Sequence, residues 1–323
     1  MNRPLRHRLL PAMLGLVALS AACSFAGDNA AFAQSADSTA VPARRIPTRL
    51  RSDLEEASAA TMSRARPGTF WSLNDSGHEP LLFAIDTGGR QLGAWPVNGA
   101  RNVDWEAMAP GPCGGTGGRH CLYIGDLGDN EAVRFAVTVY RVADRPANAA
   151  RGAWTAEALT FRYADGAHDV EAMYVMPNGT MHFITKRPLK DSAGRLRPAL
   201  VFTLPASAWS SRDSTIRAAL SDSLPIVPGS GSGRMITDAA LAPDGRHLAV
   251  RTYAEVYVFA VSPETGKVRS DVAPTVCDVS KLRERQGEAV TWLDATGRLL
   301  LMSEGRREPL LVIDCPTPPR KGT

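Results

Sequence analysis

Five times along the chain, a run of small and apolar residues opens on an acidic or hydroxyl side chain and passes through a glycine turn. The copies are EEASAATMSRARPGTFWSLND (55–75), DWEAMAPGP leading to CLYIGDLGDN (104–130), DVEAMYVMPNGTMHFITK (169–186), TDAALAPDGRHLAVRTY (237–253) and GEAVTWLDATGRLLLMSEG (287–305). The opening positions are Ser58, Glu106, Glu171, Thr237 and Glu288. Brought together, three carboxylates and two hydroxyls repel or stay partly protonated unless a cation compensates them. Hard oxygen donors of this kind suit Ca²⁺, which accepts roughly six to eight of them. The plainer reading is that such residues open strands as turn formers. Five copies in phase favour the metal.

A second polar set closes the following strand of each copy. It comprises Asn74-Asp75-Ser76, Asp126 with Asp129-Asn130, Lys186-Arg187, Arg251-Thr252 and Ser303-Glu304. Lys186, Arg187 and Arg251 are candidates to receive an anion, because guanidinium presents a planar fork to phosphate or carboxylate. Asp75, Asp126, Arg251 and Glu304 are the candidate catalytic groups. The alternative is a set of solvated loops with mutual ion pairs of small energetic worth. Gly229–Gly233 places no Ser at the centre of a nucleophile elbow. His168 beside Asp169 is read as structural.

These positions need strands to hold them. PNG, PDG and ATG between short apolar runs are hairpin signals, since glycine supplies a positive φ. Counted from Glu56, Glu106, Glu171, Asp238 and Glu288, the intervals are 50, 65, 67 and 50 residues. Repeats near this length built from four short strands predict an all-β fold, a five-bladed β-propeller. The innermost strand of each blade would then carry the repeated residue beside the central channel. The last copy lacks a fourth strand, and Arg45–Leu50 is expected to supply it, closing the ring from the N-terminus. Six blades is the alternative, if 205–235 hides a degenerate one. Segment 207–220 is the place where a short helix is conceivable.

LNDSG, DWEAMA and IGDLGDN, followed by an Arg and a VYRVAD strand, resemble the motifs of a largely uncharacterised family of secreted bacterial propeller proteins. The resemblance covers most of the mature chain. More distantly, the series ExS, WEA, VEA, TDxxxxP and GEA is similar to calcium-activated nucleotidases (apyrases), five-bladed propellers with Ca²⁺ in the channel. That likeness implies Ser58, Glu106, Glu171, Thr237 and Glu288 as calcium ligands and Arg251 as a phosphate contact. LNDSG and ITKRP depart from the nucleotidase pattern, so nucleotide specificity is not implied.

Arg3, Arg6 and Arg8 precede an apolar stretch from Leu9 to Ala22, the plan of an export signal. Cleavage after Ala33 gives a mature N-terminus at Gln34; a lipid anchor on Cys23 is the alternative. The expected organisation is a signal peptide (1–33), a linker (34–44), one propeller domain (45–315) and a disordered tail (316–323). Export places the protein in the periplasm or outside the cell, where cysteines pair. Cys113 and Cys121 bracket a Gly-rich loop and are paired on that ground, which leaves Cys277 with Cys315; four cysteines allow three connectivities. Zinc is the weaker reading.

The 323 residues are 44% hydrophobic and 22% charged, with formal charge +4. Without the leader, 34 basic and 32 acidic residues remain. This balance gives no nucleic-acid footprint, no apolar run is long enough to span a membrane, and a monomer is expected. Three functions stay open: a Ca²⁺-dependent hydrolase of phosphate esters or anhydrides acting on a small anionic substrate, a non-catalytic binding propeller with a structural metal, and a glycosidase using channel carboxylates.

Overall fold

The computed structural model of the protein describes residues 39–50, 53–114, 118–145, 154–213 and 215–318. The leader, its cleavage sites and the first part of the expected linker lie outside the described residues.

The chain begins with β1 (Thr39–Ala40) and β2 (Ala43–Ile46). A four-stranded meander follows: β3 (Ala57–Met62), β4 (Thr69–Asn74), β5 (Leu81–Asp86) and β6 (Gln91–Pro96). The second is β7 (Trp105–Pro112), β8 (His120–Asp126), β9 (Val137–Ala143) and β10 (Glu157–Tyr163). The third starts with β11 (Val170–Val175) and β12 (Met181–Thr185), then leaves the sheet for a small hairpin, β13 (Leu189–Lys190) with β14 (Leu196–Arg197). It resumes with β15 (Leu200–Leu204) and β16 (Arg217–Ser223), and β16 pairs in parallel with β10, fusing the second and third meanders into one eight-stranded sheet. The fourth meander is β17 (Ile236–Leu241), β18 (His247–Thr252), β19 (Glu255–Ala260) and β20 (Thr275–Asp278). Three strands end the chain: β21 (Gly287–Trp292), β22 (Arg298–Ser303) and β23 (Leu310–Asp314).

Both chain ends meet in the last two sheets. β2 lies antiparallel on β23, Ala43 opposite Ile313 and Ile46 opposite Leu310. β1 lies parallel on β20. The N-terminal strand on β23 is therefore Ala43–Ile46 and not Arg45–Leu50, and residues expected as linker take part in sheets. Proline explains the shift: Pro47 lacks the N–H a ladder needs and ends the pairing. At the other end, Pro318, expected in a disordered tail, is buried. The stretch 205–235 contributes β16 and two 3-10 turns, Ala206–Ser210 and Ser230–Ser232.

Strands buried on both faces read as near-continuous apolar runs, and period-two alternation decides which neighbour each side chain meets. In β8, Leu122 and Ile124 pack towards the first meander while Tyr123 packs towards the third. The core accordingly divides into clusters that each lie between two sheets: first with second, second with third, third with fourth, fourth with last, and last with first. The inner strands β3, β7, β11, β17 and β21 each pack against those of the two adjacent sheets, and β17 also meets β3 and β7. Sheets stacked face to face around an axis, with their first strands innermost, make an all-β propeller.

Two disulfides form, Cys113–Cys121 and Cys277–Cys315, the pairs expected from the sequence. The second ties β20 to the residue after β23, across the seam between the fourth and last sheets. Among the described residues, no helix is long and apolar enough to cross a membrane.

Candidate functional site at one mouth of the channel

Each inner strand carries a bulge near its start. The register shifts between Ala57 and Ala59, Trp105 and Ala107, Val170 and Ala172, Ile236 and Asp238, and Gly287 and Ala289. The extra residue in each is the repeated one: Ser58, Glu106, Glu171, Thr237 and Glu288. A bulge leaves its extra residue out of the ladder and re-aims the side chain. All five are buried, the glutamates at 5%, 2% and 3% exposure.

Their chemistry separates into two groups. Ser58 Oγ donates to the Trp105 carbonyl (2.9 Å) and Thr237 Oγ1 to the Glu288 carbonyl (2.8 Å), so each hydroxyl ties its inner strand to the next. The three glutamates instead face Lys186. Its ammonium donates to Glu171 and acts on the charge of Glu106 and Glu288 as well. Burial raises all three glutamates above the usual carboxylate range; the Glu171 charge adds to it at Glu106 and the Glu288 charge at Glu171, and Lys186 opposes it at all three. Burial works to lower Lys186, but Glu171, Tyr253 and Glu288 together raise it, so it stays charged. The cation that the carboxylates require is thus supplied in part by the protein. Tyr253 joins the group, its ring centroid 5.8 Å from Lys186 Nζ and its hydroxyl pushed up by burial and by the Glu288 charge.

Towards solvent lies a second layer. Carboxylate oxygens of Asp75, Asp104 and Glu106 all lie within 4.8 Å of one another. Asp104 is pushed up to about 7 by burial, by a hydrogen bond with Asp75 and by the Asp75 charge. Glu106 has no hydrogen-bond partner among the described residues. A Cβ at Gly128 would lie 2.5 Å from Asp104 Cγ and 2.8 Å from Glu106 Cγ, which is why the second glycine of IGDLGDN is needed. Asn102 fixes the layer by donating to the Asn74 and Asp75 carbonyls (3.1 and 2.7 Å) and accepting from Trp105 N–H (3.0 Å). On the other side Gln286 Nε2 bridges Glu288 and Glu304 (2.7 and 2.8 Å). Burial, with Glu288 and Asp75 nearby, raises Glu304 to about 7.

The residues expected to receive an anion are placed differently. Lys186 is spent on Glu171. Arg187 pairs with Asp169 (2.6 Å) and donates to Asn130. Arg251 is 0% exposed, donating to the Ala289 and Met302 carbonyls (2.7 and 3.2 Å) and to Glu284. Gly287 leaves it room, since a Cβ there would sit 1.9 Å from Arg251 Nη2. A guanidinium enclosed by its own fold cannot greet a phosphate, so the geometry withdraws its support from Arg251 as anion contact or catalyst. Asp126, 1% exposed, accepts from Val103 and Asp104 N–H (both 3.2 Å) and from Arg134 (2.7 Å), holding the loop before β7. Of the four catalytic candidates, only Asp75 and Glu304 border the open mouth.

Asp104, Tyr253 and Gln286 belong to the site and were not singled out in the sequence. Asp104 stands beside Trp105 in the repeated DWE phrase, and that adjacency is the signal that could have found it. Tyr253 follows β18 as Asp75, Lys186 and Glu304 follow β4, β12 and β22, and Gln286 precedes β21 as Asp104 precedes β7, so their places repeat while their side chains differ.

For a single metal on the axis the set of five fits poorly, because the Lys186 ammonium already lies among the glutamates. Asp75, Asp104 and Glu106 fit a hard cation: three oxygen donors in reach of one point, Glu106 without a hydrogen bond among the described residues and Asp104 holding near pH 7 a proton that a cation would displace.

No family model matches the chain, and no curated protein matches it. Solved structures similar to it include the β-propeller domain of Myceliophteria thermophila Cps50 (Swd1), 13% identical over 84% of this chain and 99% of that one, with a TM-score of 0.40. The Dos1 propeller is 8% identical over 80% of this chain and 58% of its own, with a TM-score of 0.37. A chain of the nidogen/laminin complex is 9% identical over 79% and 74%, with a TM-score of 0.44. The propeller architecture of this chain stands on its own sheets and seams.

Proposed function

We propose that the protein is an exported five-bladed propeller that binds Ca²⁺ at the acidic mouth of its channel, through Asp75, Asp104 and Glu106, and serves as a binding module. The blade count is supported by the seams, each shared by two sheets, and by β2 on β23, which gives the last sheet its fourth strand. Export is supported by the two disulfides and the Arg-then-apolar start of the sequence. The observation that carries the cation is the trio of oxygens within 4.8 Å, with Glu106 buried and without a hydrogen bond among the described residues. A hydrolase of anionic esters would need cations free at the mouth, and Lys186, Arg187 and Arg251 are each held by carboxylates.

Calorimetry with CaCl₂ tests this. Binding near pH 7 should release protons, because Asp104 is protonated in part there. Glu106→Gln should weaken binding at least about tenfold, near 1.4 kcal/mol. Absence of Ca²⁺ binding to the wild type removes the metal, and Ca²⁺-dependent turnover of a phosphoester would replace the binding module by the hydrolase.

A further inference from the structure

The seam where β10 and β16 join carries residues with no part in the acidic mouth. The parallel register sets Arg162 beside Arg217. Like charges side by side across a ladder repel. Among the described residues the Arg162 guanidinium has no ion-pair partner; its Cζ lies 3.2 Å from the centroid of the Phe135 ring. Arg217 acts on Asp213, but that carboxylate is taken up by the N–H and hydroxyl of Thr215 (both 2.8 Å).

Apolar surface adjoins this pair. Val133 and Phe135 are 76% and 72% exposed, the highest values among the exposed large apolar side chains described. Their loop is held firmly: Asp129 accepts from Val133 and Arg134 N–H (2.9 and 2.7 Å), and Ala132 takes a φ of 51°, a conformation that alanine rarely adopts. Arg134 is spent on Asp126 and the Gly128 carbonyl (both 2.7 Å). These residues line a cleft of about 330 Å³ together with Tyr163, whose buried hydroxyl has no hydrogen-bond partner among the described residues. A cleft of this size suits a small ligand.

We propose that this cleft binds an oxyanion carried on an apolar body, the anion on the paired guanidinium groups of Arg162 and Arg217 and the apolar part against Phe135 and Val133. Phe135 covers one face of the Arg162 guanidinium and leaves its N–H fork for an oxyanion. The anion also relieves the repulsion between the two arginines. This site is independent of the calcium reading.

Decanoate and decyl phosphate are the probes, with decanol and inorganic phosphate as controls, followed by calorimetry and thermal melting of the full mature chain. At least one anionic amphiphile should bind saturably, at least about tenfold more tightly than either control, and raise the melting temperature. Arg162→Ala/Arg217→Ala should abolish that rise while shifting the ligand-free melting temperature little, because relief of the like-charge repulsion offsets the lost stack of Arg162 on Phe135. Phe135→Ser should weaken the amphiphile tenfold or more, and the exposed control Arg195→Ala should leave it unchanged. No saturable binding at millimolar probe, or binding that ignores the arginine pair, overturns the proposal. Sedimentation of the chain with phosphatidylglycerol vesicles, without binding of the free amphiphiles, would overturn it in favour of a membrane surface.

Discussion

Remove the Lys186 ammonium and Glu171, 2% exposed, keeps no cation within hydrogen-bond reach. Lys186→Met should therefore destabilise the fold by about 3 kcal/mol at pH 8, the scale expected for breaking a buried ion pair from one side. The loss should shrink as pH falls, because Glu171 can then take up a proton. Urea unfolding at pH 8 and pH 5.5 reads the contrast; an equal loss at both would mean that packing, not charge, is at stake. The wild type has its own pH signature. Asp104 and Glu304 are both raised to about 7, so the folded chain holds more protons than the unfolded one between the ordinary carboxylate range and 7. Their contribution is fully present below that range and is lost as pH rises through 7. Ca²⁺ at pH 8 should restore it, seen as a melting temperature that rises with Ca²⁺ at pH 8 and far less at pH 5.5. A rise of equal size at both pH values would place the metal away from Asp104.

At the level of elements, the repeat was legible because each copy must do the same two things: bulge at the second residue of its inner strand and bury the residues that follow. That constraint writes Ser58, Glu106, Glu171, Thr237 and Glu288 into phase. The roles of the basic residues were not legible. β18 is buried at every position, so its pattern has no outward face to mark where Arg251 points, and the partner Glu284 lies in a loop on another sheet. Charge at a strand end reads the same whether it meets a ligand or a carboxylate from the neighbouring sheet. Gly128 shows how closely one element shapes the mouth. Gly128→Ala places a methyl 2.5 Å from Asp104 Cγ, which must push the carboxylate aside while the strands on either side keep their ladders. Ca²⁺ affinity should fall about tenfold or more with only a small loss of stability, about 1 kcal/mol. Unchanged affinity would show that Asp104 is not a ligand.

For the whole molecule, the question is what stops sheets arranged about an axis from opening at the seam between the first and last. Residues 39–46 grip two sheets at once, β1 on β20 and β2 on β23, and Cys277–Cys315 crosses the same pair of sheets. The proposed closure of the ring rests on β2, from which the chain runs on into β3 of the first sheet, while β1 and the disulfide fasten the fourth sheet to the last. Chain entropy ranks the two bridges. Closing 38 residues is worth about 4 kcal/mol and closing 8 about 2.5 kcal/mol. Cys277→Ser/Cys315→Ser should therefore cost more than Cys113→Ser/Cys121→Ser in denaturant unfolding. Deleting residues 39–46 should cost more than either, because it also bares the edge of β23, whose Leu310–Ile313 run is buried, and an exposed apolar edge seeks another strand. Lower melting temperature together with concentration-dependent association is the expected outcome. If the deleted chain stays monomeric and melts as the wild type does, the N-terminal strand does not close the ring, and the last sheet must be stable with three strands.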